Sequence, residues 1–369
     1  MAKKIAGIIL AGGYSSRMGE LKALLPFRTD LIIIKQIKSM NQAGIEDVYV
    51  VVGYKAKEIK FALKGWDVKV LFNEHYSEGM FSSIKTGVKA VSQEDYDGFC
   101  LLPVDYPLLQ AYTFEWLMDK FNEDTAKIVY PSFNYKKGHP PLISTELNDV
   151  ILSYSGDQGL KGLLKEYEEF AEYVSIGDES ILIDVDTKED YKKALEYAQK
   201  KYPNYKTCEL LYEKYKIDTL LKNHCLKVGE AAKNIAILLK EKNSKLDIDP
   251  GLLYFCGLLH DLKKGTPEHA HEASKIMIKM GYYQMANIIN NHMNLDSAYL
   301  NDICNESILY YADKIVKEDQ FIEPQQRMDS VESSHAIKRL LDAVIIQENI
   351  NKVLEHNIIE LLRKMEKRH

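Results

Sequence analysis

The chain has 369 residues and a formal net charge of -6, with 46% hydrophobic and 28% charged residues. This length exceeds a typical single hydrophobic core and predicts two domains, and the ordinary globular composition argues against extended disorder. The negative charge provides no overall basic surface for nucleic acid or an anionic membrane, and no apolar run reaches the roughly 18 residues that a membrane-spanning helix needs. We therefore expect neither nucleic acid nor a membrane among the partners.

The first predicted element is a strand at residues 5–10, whose apolar run suits burial on both faces of a sheet. Lys3 and Lys4 imitate the start of a secretory signal, but the run stops at Gly12 and Gly13 without a small-residue cleavage site. The five cysteines contain no Cys-x-x-Cys pair, which argues against zinc knuckles and for reduced, buried thiols. Both observations predict a cytoplasmic protein.

The glycine turn after this strand has the properties of an anion-binding loop. Gly12 and Gly13 allow backbone N–H groups to turn inward, and Arg17 and Lys22 add positive charge where a triphosphate would lie. The spacing is neither that of a Walker loop nor that of a dinucleotide-binding turn. The loop therefore predicts a phosphate site of another type.

Further short apolar segments alternate with amphipathic helices up to about residue 200. They lie at residues 48–52, 68–72, 99–102, 128–130 and 181–185. Such alternation predicts an α/β domain, Rossmann-like, with a mostly parallel sheet and helices on both faces. Ligands bind these sheets at the carboxyl ends of the strands, which is where Gly12, Gly53 and Asp105 fall.

Three aspartates are candidate Mg²⁺ ligands. Asp105 ends an apolar strand, and a carboxylate facing phosphates suits this ion, although an aspartate can also simply form a turn. Asp184 and Asp186 would lie on the same side of an extended strand by the two-residue period. Their alternative role is to cap the next helix, but Thr187 and Asp190 already supply a capping-box pair.

Two polar segments are candidates for nucleotide or acceptor contacts. Asn73, Gly79, Ser82 and Ser83 precede or begin a predicted helix, whose N-terminus and hydroxyls suit a phosphate or a nucleoside. His139 lies in a Gly-His-Pro segment and, taken alone, is an ordinary loop histidine.

These segments together resemble the molybdopterin-type nucleotidyltransferases, which join a nucleoside monophosphate from CTP or GTP to a small phosphorylated acceptor. The family's first loop reads Leu-Ala-Ala/Gly-Gly-x-Ser-x-Arg-Met-Gly-x-x-Lys-x-Leu. The matching residues here are Leu10, Ala11, Gly12, Gly13, Ser15, Arg17, Met18, Gly19, Lys22 and Leu25. The segment from Asn73 resembles the family's Asn followed by Gly-Met-x-Ser-Ser, and residues 138–140 resemble its Gly-His-Pro. The resemblance covers about residues 5–195.

The resemblance implies an in-line attack by an acceptor phosphate on the nucleotide's α-phosphorus, with pyrophosphate leaving. Arg17 and Lys22 would stabilise the transition state, while Asp105 with Asp184 or Asp186 would hold Mg²⁺. The implied nucleotide and substrate contacts are Leu10, Ala11, Gly12, Gly13, Asn73, Gly79, Ser82, Ser83 and His139. The implied acceptor is molybdopterin, with a molybdoenzyme or its chaperone as a further partner.

The sequence does not decide whether the nucleotide is CTP or GTP. In the family, Ala-Ala-Gly accompanies CTP and Ala-Gly-Gly accompanies GTP, and this chain has Ala-Gly-Gly from Ala11. Its Gly-Met-x-Ser-Ser, Gly-His-Pro and Asp-x-Asp-Thr segments look more like the cytidylyltransferase branch. Val104 and Tyr106 replace the family's usual small residue and Gln or Met beside the metal aspartate. These features favour CMP transfer only slightly.

From about residue 207 the strand signals vanish and helices are predicted, at residues 220–239, 252–262 and 272–280 and within 334–368. Pro203 stops a charged helix, so residues 201–206 are a predicted linker. We therefore expect an α/β domain at residues 1–200 and an all-α domain at residues 207–369.

The helical half contains a series of histidines and aspartates that suit a divalent transition metal. In chain order these are His224, His260, Asp261, His271, His292 and Asp313. Each histidine alone is more often a core or surface residue. His269 is a rival to His271, because two positions apart on a helix they cannot both face one metal.

The series resembles the HD-domain phosphohydrolases over about residues 215–330. The resemblance implies that His224, His260, Asp261 and Asp313 bind one metal and that His271 and His292 add a second, bridged by Asp261. Lys264 would contact a substrate phosphate. One or two divalent metals such as Fe or Mn would activate water for attack on a phosphate ester or anhydride.

The combined prediction is a nucleotidyltransferase followed by a metal-dependent phosphohydrolase. One alternative is transfer to another phosphorylated small molecule, such as a sugar or alcohol phosphate. Another is a nucleotide-sensing domain that regulates the hydrolase. The presence of Arg17, Lys22 and Asp105 argues against a mere sensor.

Overall fold

The computed structural model describes residues 2–123, 126–156, 158–299, 303–317 and 320–321. The chain divides after Lys200 into two compact units, Met1–Lys200 and Lys201–His369. The first is an α/β unit with a mostly parallel sheet and the second is helical, so the predicted fold class is confirmed.

The first unit has ten strands among its described residues. They are β1 (Ile5–Ala11), β2 (Pro26–Phe27), β3 (Asp30–Leu31), β4 (Val48–Val52), β5 (Lys69–Phe72), β6 (Gly98–Pro103), β7 (Ile128–Phe133), β8 (Lys136–Lys137), β9 (Leu142–Ser144) and β10 (Ala171–Ser175). The main sheet has the order β10-β7-β9-β6-β1-β4-β5, with β8 paired to β7. Strand β9 runs antiparallel to β6 and β7, whereas β1 is parallel to both of its neighbours.

The helices of this unit follow the strands as the alternation predicts. They are α1 (Ile32–Gln42), α2 (Ala56–Ala62), α3 (Met80–Val91), α4 (Ala111–Glu123), α5 (Asn148–Ser153), α6 (Gly159–Glu166) and α7 (Lys188–Tyr197). Strands β1, β4 and β6 are buried along their whole length, as expected of central strands covered on both faces. Their registers pair Ala11 with Val52 and Leu10 with Pro103. The loops that follow these three strands therefore begin side by side.

The prediction of a strand at residues 181–185 is wrong. Residues Glu179–Leu182 form a short 3-10 helix capped by the Asp178 side chain. The backbone N–H of Val185 donates to the carbonyl of Asp105 at 2.8 Å instead of joining a sheet ladder. This bond brings the segment with Asp184 and Asp186 next to the loop after β6.

The second unit has six helices among its described residues, and a two-stranded hairpin that the sequence did not predict. The helices are α8 (Tyr205–Lys214), α9 (Thr219–Lys242), α10 (Pro250–Leu259), α11 (His269–Lys279), α12 (Tyr283–Asn290) and α13 (Asn305–Lys314). The strands of the hairpin are β11 (Val316–Lys317) and β12 (Gln320–Phe321). Helix α8 begins inside the predicted linker, because the Asn204 side chain caps it by accepting from the N–H of Thr207. Helix α10 ends before His260, earlier than predicted. The helices expected within 334–368 lie outside the described residues.

Where the chain is described, no helix is both long and apolar enough to cross a membrane.

Candidate active sites

The first candidate site is a cavity of about 330 Å³ at the carboxyl ends of β1 and β6. Of the predicted site residues, its lining includes Leu10, Ala11, Gly12, Gly13, Lys22, Gly79, Ser83 and Asp105. The structure thus brings residues from four separate segments into one cleft.

Local bonds shape the loop that carries the cations. Ser15 adopts a left-handed conformation, with φ of 52°, and its carbonyl accepts from the N–H groups of Met18 and Gly19. Its hydroxyl accepts from the N–H of Lys22 at 3.2 Å. The buried Met18 side chain packs in the same cluster as Val185. These contacts hold the loop beside the segment that contains Asp186.

The cations of the loop are paired with one of the predicted metal ligands. Lys22 Nζ lies 2.5 Å from Asp186 Oδ1 and 3.9 Å from Asp105 Oδ2. Arg17 Nη1 donates to Asp186 Oδ2 at 2.7 Å. The hydrogen bond from Lys22 lowers the pKa of Asp186. Both oxygens of Asp186 are therefore already neutralised by side-chain cations.

Asp105 has a different environment. Burial raises its pKa, although Lys22 opposes the shift. Its Oδ1 atom is buried and finds no hydrogen-bond partner in the described part of the chain. Asp184 is exposed. A buried carboxylate oxygen without a donor fits a hard cation such as Mg²⁺, so the residues present are compatible with the predicted metal.

The segment from Asn73 is held by internal hydrogen bonds. The side-chain amide of the buried Asn73 donates to Ser82 Oγ at 2.8 Å and to Ser83 Oγ at 3.0 Å. Ser82 Oγ in turn lies 2.8 Å from the carbonyls of both His75 and Gly79, either of which can accept its one hydrogen. Asn73 and Ser82 therefore shape the start of α3, whereas Ser83 and Gly79 face the cavity.

His139 lies apart from the cavity lining. Its ring contacts that of Tyr106 with centroids 4.3 Å apart. Burial lowers the pKa of His139 to about 4, so the imidazole is neutral near pH 7. Its predicted contact with an acceptor remains a proposal.

Several residues that line this cavity were not among the predicted site residues, including Tyr14 and Tyr76. Tyr14 occupies a variable position of the family loop pattern, and Tyr76 lies in the loop after a strand without any regular spacing. Their position depends on how neighbouring strand ends meet.

The second candidate site lies within the helical unit and is built from five helical segments. His224 is on α9, His260 and Asp261 follow α10, His269 begins α11, His292 follows α12 and Asp313 is on α13. All six except His269 are buried. Two groups have ligand atoms within 4.8 Å of one another: His224, His260 and Asp261, and Asp261, His269 and His292.

Asp261 belongs to both groups. Its Oδ2 atom lies 3.4 Å from His260 Nε2 and 3.7 Å from His224 Nε2. Its Oδ1 atom lies 3.3 Å from His269 Nε2 and 3.5 Å from His292 Nε2. Each carboxylate oxygen thus faces a different pair of histidines, which is the arrangement of a bridging ligand between two metals.

Asp313 completes the first group. Its Oδ1 atom is 3.3 Å from His224 Nε2 and 3.5 Å from His260 Nε2. Burial alone would raise the pKa of Asp313, but the neighbouring imidazoles of these two histidines hold it well below its usual range. Asp261 shows the same balance, with His260 lowering its pKa. The cluster therefore favours positive charge between its carboxylates.

Backbone carbonyls fix the orientation of two of these rings. Nδ1 of His260 lies 2.7 Å from the carbonyl of Gly257, and Nδ1 of His292 lies 2.7 Å from that of Ile289. A carbonyl only accepts, so Nδ1 carries a proton in each ring, and Nε2 is the atom that can coordinate a metal. Both Nε2 atoms are buried without a hydrogen-bond partner among the described residues. This chemistry fits one or two divalent metals.

His271 is not part of this cluster, which corrects its predicted role. It is exposed, and its Nδ1 atom lies 3.3 Å from Asn290 Oδ1. Two positions along a helix rotate a side chain by about 200°, so His269 and His271 face opposite sides of α11. The rival considered from sequence, His269, is the one beside Asp261.

Two lysines accompany the ligands in a cavity of about 600 Å³. Lys264 Nζ lies 2.5 Å from Asp261 Oδ2, and Lys314 Nζ lies 2.8 Å from Asp313 Oδ2. The sequence analysis did not predict Lys314 as a site residue, although it directly follows the predicted metal ligand Asp313. Two ammonium groups beside a metal-type cluster suit an anionic substrate.

The fold and the first site define a nucleotidyltransferase-type α/β domain, and the second unit defines a helical domain with a His/Asp metal-type cluster. Residues 7–170 match the MobA-like NTP transferase domain, and residues 221–322 match the HD domain. The first unit therefore contains a MobA-like NTP transferase domain, and the second contains an HD domain.

Three similar proteins each match between about a third and a half of this chain. The nicotine blue oxidoreductase of Paenarthrobacter nicotinovorans is 28% identical over 198 residues, which are 52% of this chain and 96% of the relative. The molybdenum cofactor cytidylyltransferase of Escherichia coli is 28% identical over 192 residues, 51% of this chain and 94% of the relative. A "Probable molybdenum cofactor guanylyltransferase" of Opitutus terrae is 29% identical over 113 residues, 31% of this chain and 54% of that protein.

Proposed function

We propose that the first unit transfers a nucleoside monophosphate from an NTP to molybdopterin or its molybdenum form, with release of pyrophosphate. The observation that carries this proposal is the environment of Asp105: its buried Oδ1 atom has no hydrogen-bond partner among the described residues, and its Oδ2 atom lies 3.9 Å from Lys22 Nζ of the cationic loop. The similarity to two proteins named for molybdenum cofactor nucleotidyl transfer supports the choice of acceptor. CMP is favoured over GMP, on the segments that resemble the cytidylyltransferase branch.

In this mechanism the chain's own residues bind and orient the phosphates. Lys22 and Arg17 exchange Asp186 for the triphosphate and neutralise the charge on the leaving pyrophosphate. Asp105, with Asp184 or Asp186, would hold Mg²⁺, which supplies further charge neutralisation when bound. The acceptor's phosphate monoester is already ionised near pH 7, so no general base is required.

The test is pyrophosphate release by the purified chain with Mg²⁺ and molybdopterin, comparing CTP with GTP and omitting the acceptor as a control. Acceptor-dependent release with CTP above GTP is expected. Pyrophosphate release with a sugar or alcohol phosphate but not with molybdopterin would show that the acceptor is one of those compounds. If the chain binds nucleotide but releases no pyrophosphate with any of these acceptors, the proposed transfer is contradicted. This direct assay is needed because a relative of similar identity is named as an oxidoreductase.

We also propose that the HD unit is a metal-dependent phosphohydrolase. The bridging position of Asp261 between two pairs of histidines carries this proposal. Lys264 and Lys314 would bind the substrate phosphate, and the cavity beside them holds the remainder of the substrate. A bound Fe or Mn pair would supply an activated water.

The test is to load the chain with Mn²⁺ or Fe²⁺, count the bound metal, and follow hydrolysis of bis(p-nitrophenyl) phosphate and of nucleotides. About two metals per chain with metal-dependent phosphate release are expected. Full metal occupancy without hydrolysis of any of these probes would contradict the hydrolase and favour a binding or regulatory domain.

A further inference from the structure

Three tyrosines form a cluster beside the first site: Tyr14, Tyr54 and Tyr76, named here the tyrosine cluster. Each follows the carboxyl end of a different strand, namely β1, β4 and β5. These strands are neighbours in the sheet, in that order. Neighbouring strands lie about 4.8 Å apart, so loops at their ends bring side chains into contact.

The rings pack against one another. Centroids of Tyr14 and Tyr54 are 5.1 Å apart with the planes tilted by 42°, and those of Tyr14 and Tyr76 are 5.6 Å apart with a tilt of 56°. Such distances are typical of favourable aromatic pairs. The Tyr14 side chain is nevertheless 50% exposed to solvent. An aromatic ring supported by two others, yet half open, is suited to stack on a planar ligand.

The cluster is fixed to the phosphate loop. The N–H of Tyr54 donates to the carbonyl of Gly12 at 3.2 Å. A Cβ atom on Gly53 would lie 2.4 Å from Tyr76 Cβ, so this position requires glycine for Tyr76 to pack where it does. The rings are therefore held in place before any ligand binds, which reduces the entropy lost on binding.

The charged groups lie toward the opposite side of the same cavity. Tyr14, Tyr76, Lys22 and Asp105 all line it. In the sheet, the tyrosine cluster belongs to the β4 and β5 side of β1, whereas Asp105 follows β6 on the other side. A ligand whose phosphates lie at Lys22 would extend its remaining part toward the tyrosines. Tyr14 directly follows Gly13, and both line the cavity, so a molecule held by that loop would lie beside the Tyr14 ring.

We propose that Tyr14, supported by Tyr54 and Tyr76, is the stacking platform for the nucleobase of the NTP. This inference rests on the proposed nucleotidyl transfer. Every nucleobase presents a π-face, so stacking contributes affinity without selecting among bases. The platform strengthens CTP and GTP binding alike, and the choice between them is made by other groups.

The test is calorimetric binding of Mg–CTP, Mg–GTP and magnesium tripolyphosphate to the full chain and to Tyr14→Ala. Loss of one base–aromatic stack is expected to weaken both nucleotides about tenfold. Tripolyphosphate, which has no base, is expected to bind unchanged. Tyr14→Phe keeps the ring and should bind like the wild type. Tyr135→Ala is the matched control, because Tyr135 is fully exposed and outside the cavity lining.

Nucleotide affinity of Tyr14→Ala within about twofold of wild type would overturn the platform. Equal weakening of tripolyphosphate would also overturn it, since that would reveal a displaced loop. Unchanged nucleotide affinity with a raised KM for molybdopterin would assign the ring to the acceptor and likewise overturn the proposal. A wild-type chain that binds no nucleotide would instead contradict the proposed function itself.

Discussion

At the scale of single residues, Asp105 and Asp186 both lie within 4.0 Å of Lys22 but have pKa values shifted in opposite directions. Burial dominates at Asp105, whereas a direct hydrogen bond from Lys22 dominates at Asp186. The carboxylate of Asp105 therefore gains most from a bound cation. Asp186 instead holds Lys22 and Arg17 in position.

This difference predicts the effect of Asp105→Asn, which keeps the shape of the side chain but removes its charge. Nucleotidyl transfer is expected to fall on the order of 100-fold, because charge stabilisation by a metal is worth several kcal/mol. Pyrophosphate release measures the loss. Metal-dependent hydrolysis in the same sample should persist and controls for folding. Transfer at the wild-type rate would exclude Asp105 as a metal ligand.

His269 and His271 form a matched pair of substitutions on α11. His269→Ala removes a group 3.3 Å from Asp261 Oδ1 and is expected to reduce bound metal by about one ion per chain. His271→Ala removes an exposed ring and should leave the metal content unchanged. Elemental analysis of both variants after identical loading makes the measurement. The opposite result would restore the assignment expected from sequence.

At the scale of elements, the second site depends on how closely α9 and α10 approach. A Cβ atom on Gly257 would lie 2.4 Å from the backbone of Gly229, so the helices cross in backbone contact. His224 lies on one of these helices, and His260 with Asp261 follows the other. The two glycines therefore set the separation of three ligands.

Gly257→Ala should separate the two helices. Overpacking of this kind costs about 1–3 kcal/mol of stability, and the displaced ligands should bind metal more weakly. Thermal unfolding followed by circular dichroism and a metal titration measure the two effects. Nucleotidyl transfer is the internal control, since its site lies in the other unit. Unchanged stability and metal affinity would mean that the crossing tolerates a methyl group.

At the scale of the whole molecule, the proposed residues of each site fall within one compact unit. The proposed transfer residues fall between Leu10 and Asp186, and the proposed metal ligands fall between His224 and Asp313. This arrangement predicts two activities that can be removed one at a time.

Asp261→Ala tests that independence, because Asp261 faces both histidine pairs. Bound metal and hydrolysis should both be lost, since each metal position loses its shared ligand. Transfer should remain at the wild-type rate, and an excess of bis(p-nitrophenyl) phosphate should not slow it in the wild-type chain. Loss of transfer in a folded variant, or inhibition by that substrate, would show that the sites are coupled.

Much of this organisation was predictable from local patterns. The buried strands β1, β4 and β6 are apolar runs in the sequence. The loop pattern around Gly12 is formed by residues that are contiguous in the sequence. The capping box of Thr187 and Asp190 also forms as predicted. Each of these features depends on residues close together in sequence, so their spacing carries the information.

The sequence by itself therefore determined the two-part architecture, the glycine turn after the first strand and the chain order of the histidines and aspartates. Only the tertiary structure decided that residues 181–185 bond to the loop of Asp105 rather than to a strand, and that His269 rather than His271 faces Asp261. It alone assembled Tyr14, Tyr54 and Tyr76 from three strand ends. The physical reason is that these outcomes depend on sheet order and helix rotation, which place residues distant in sequence beside one another.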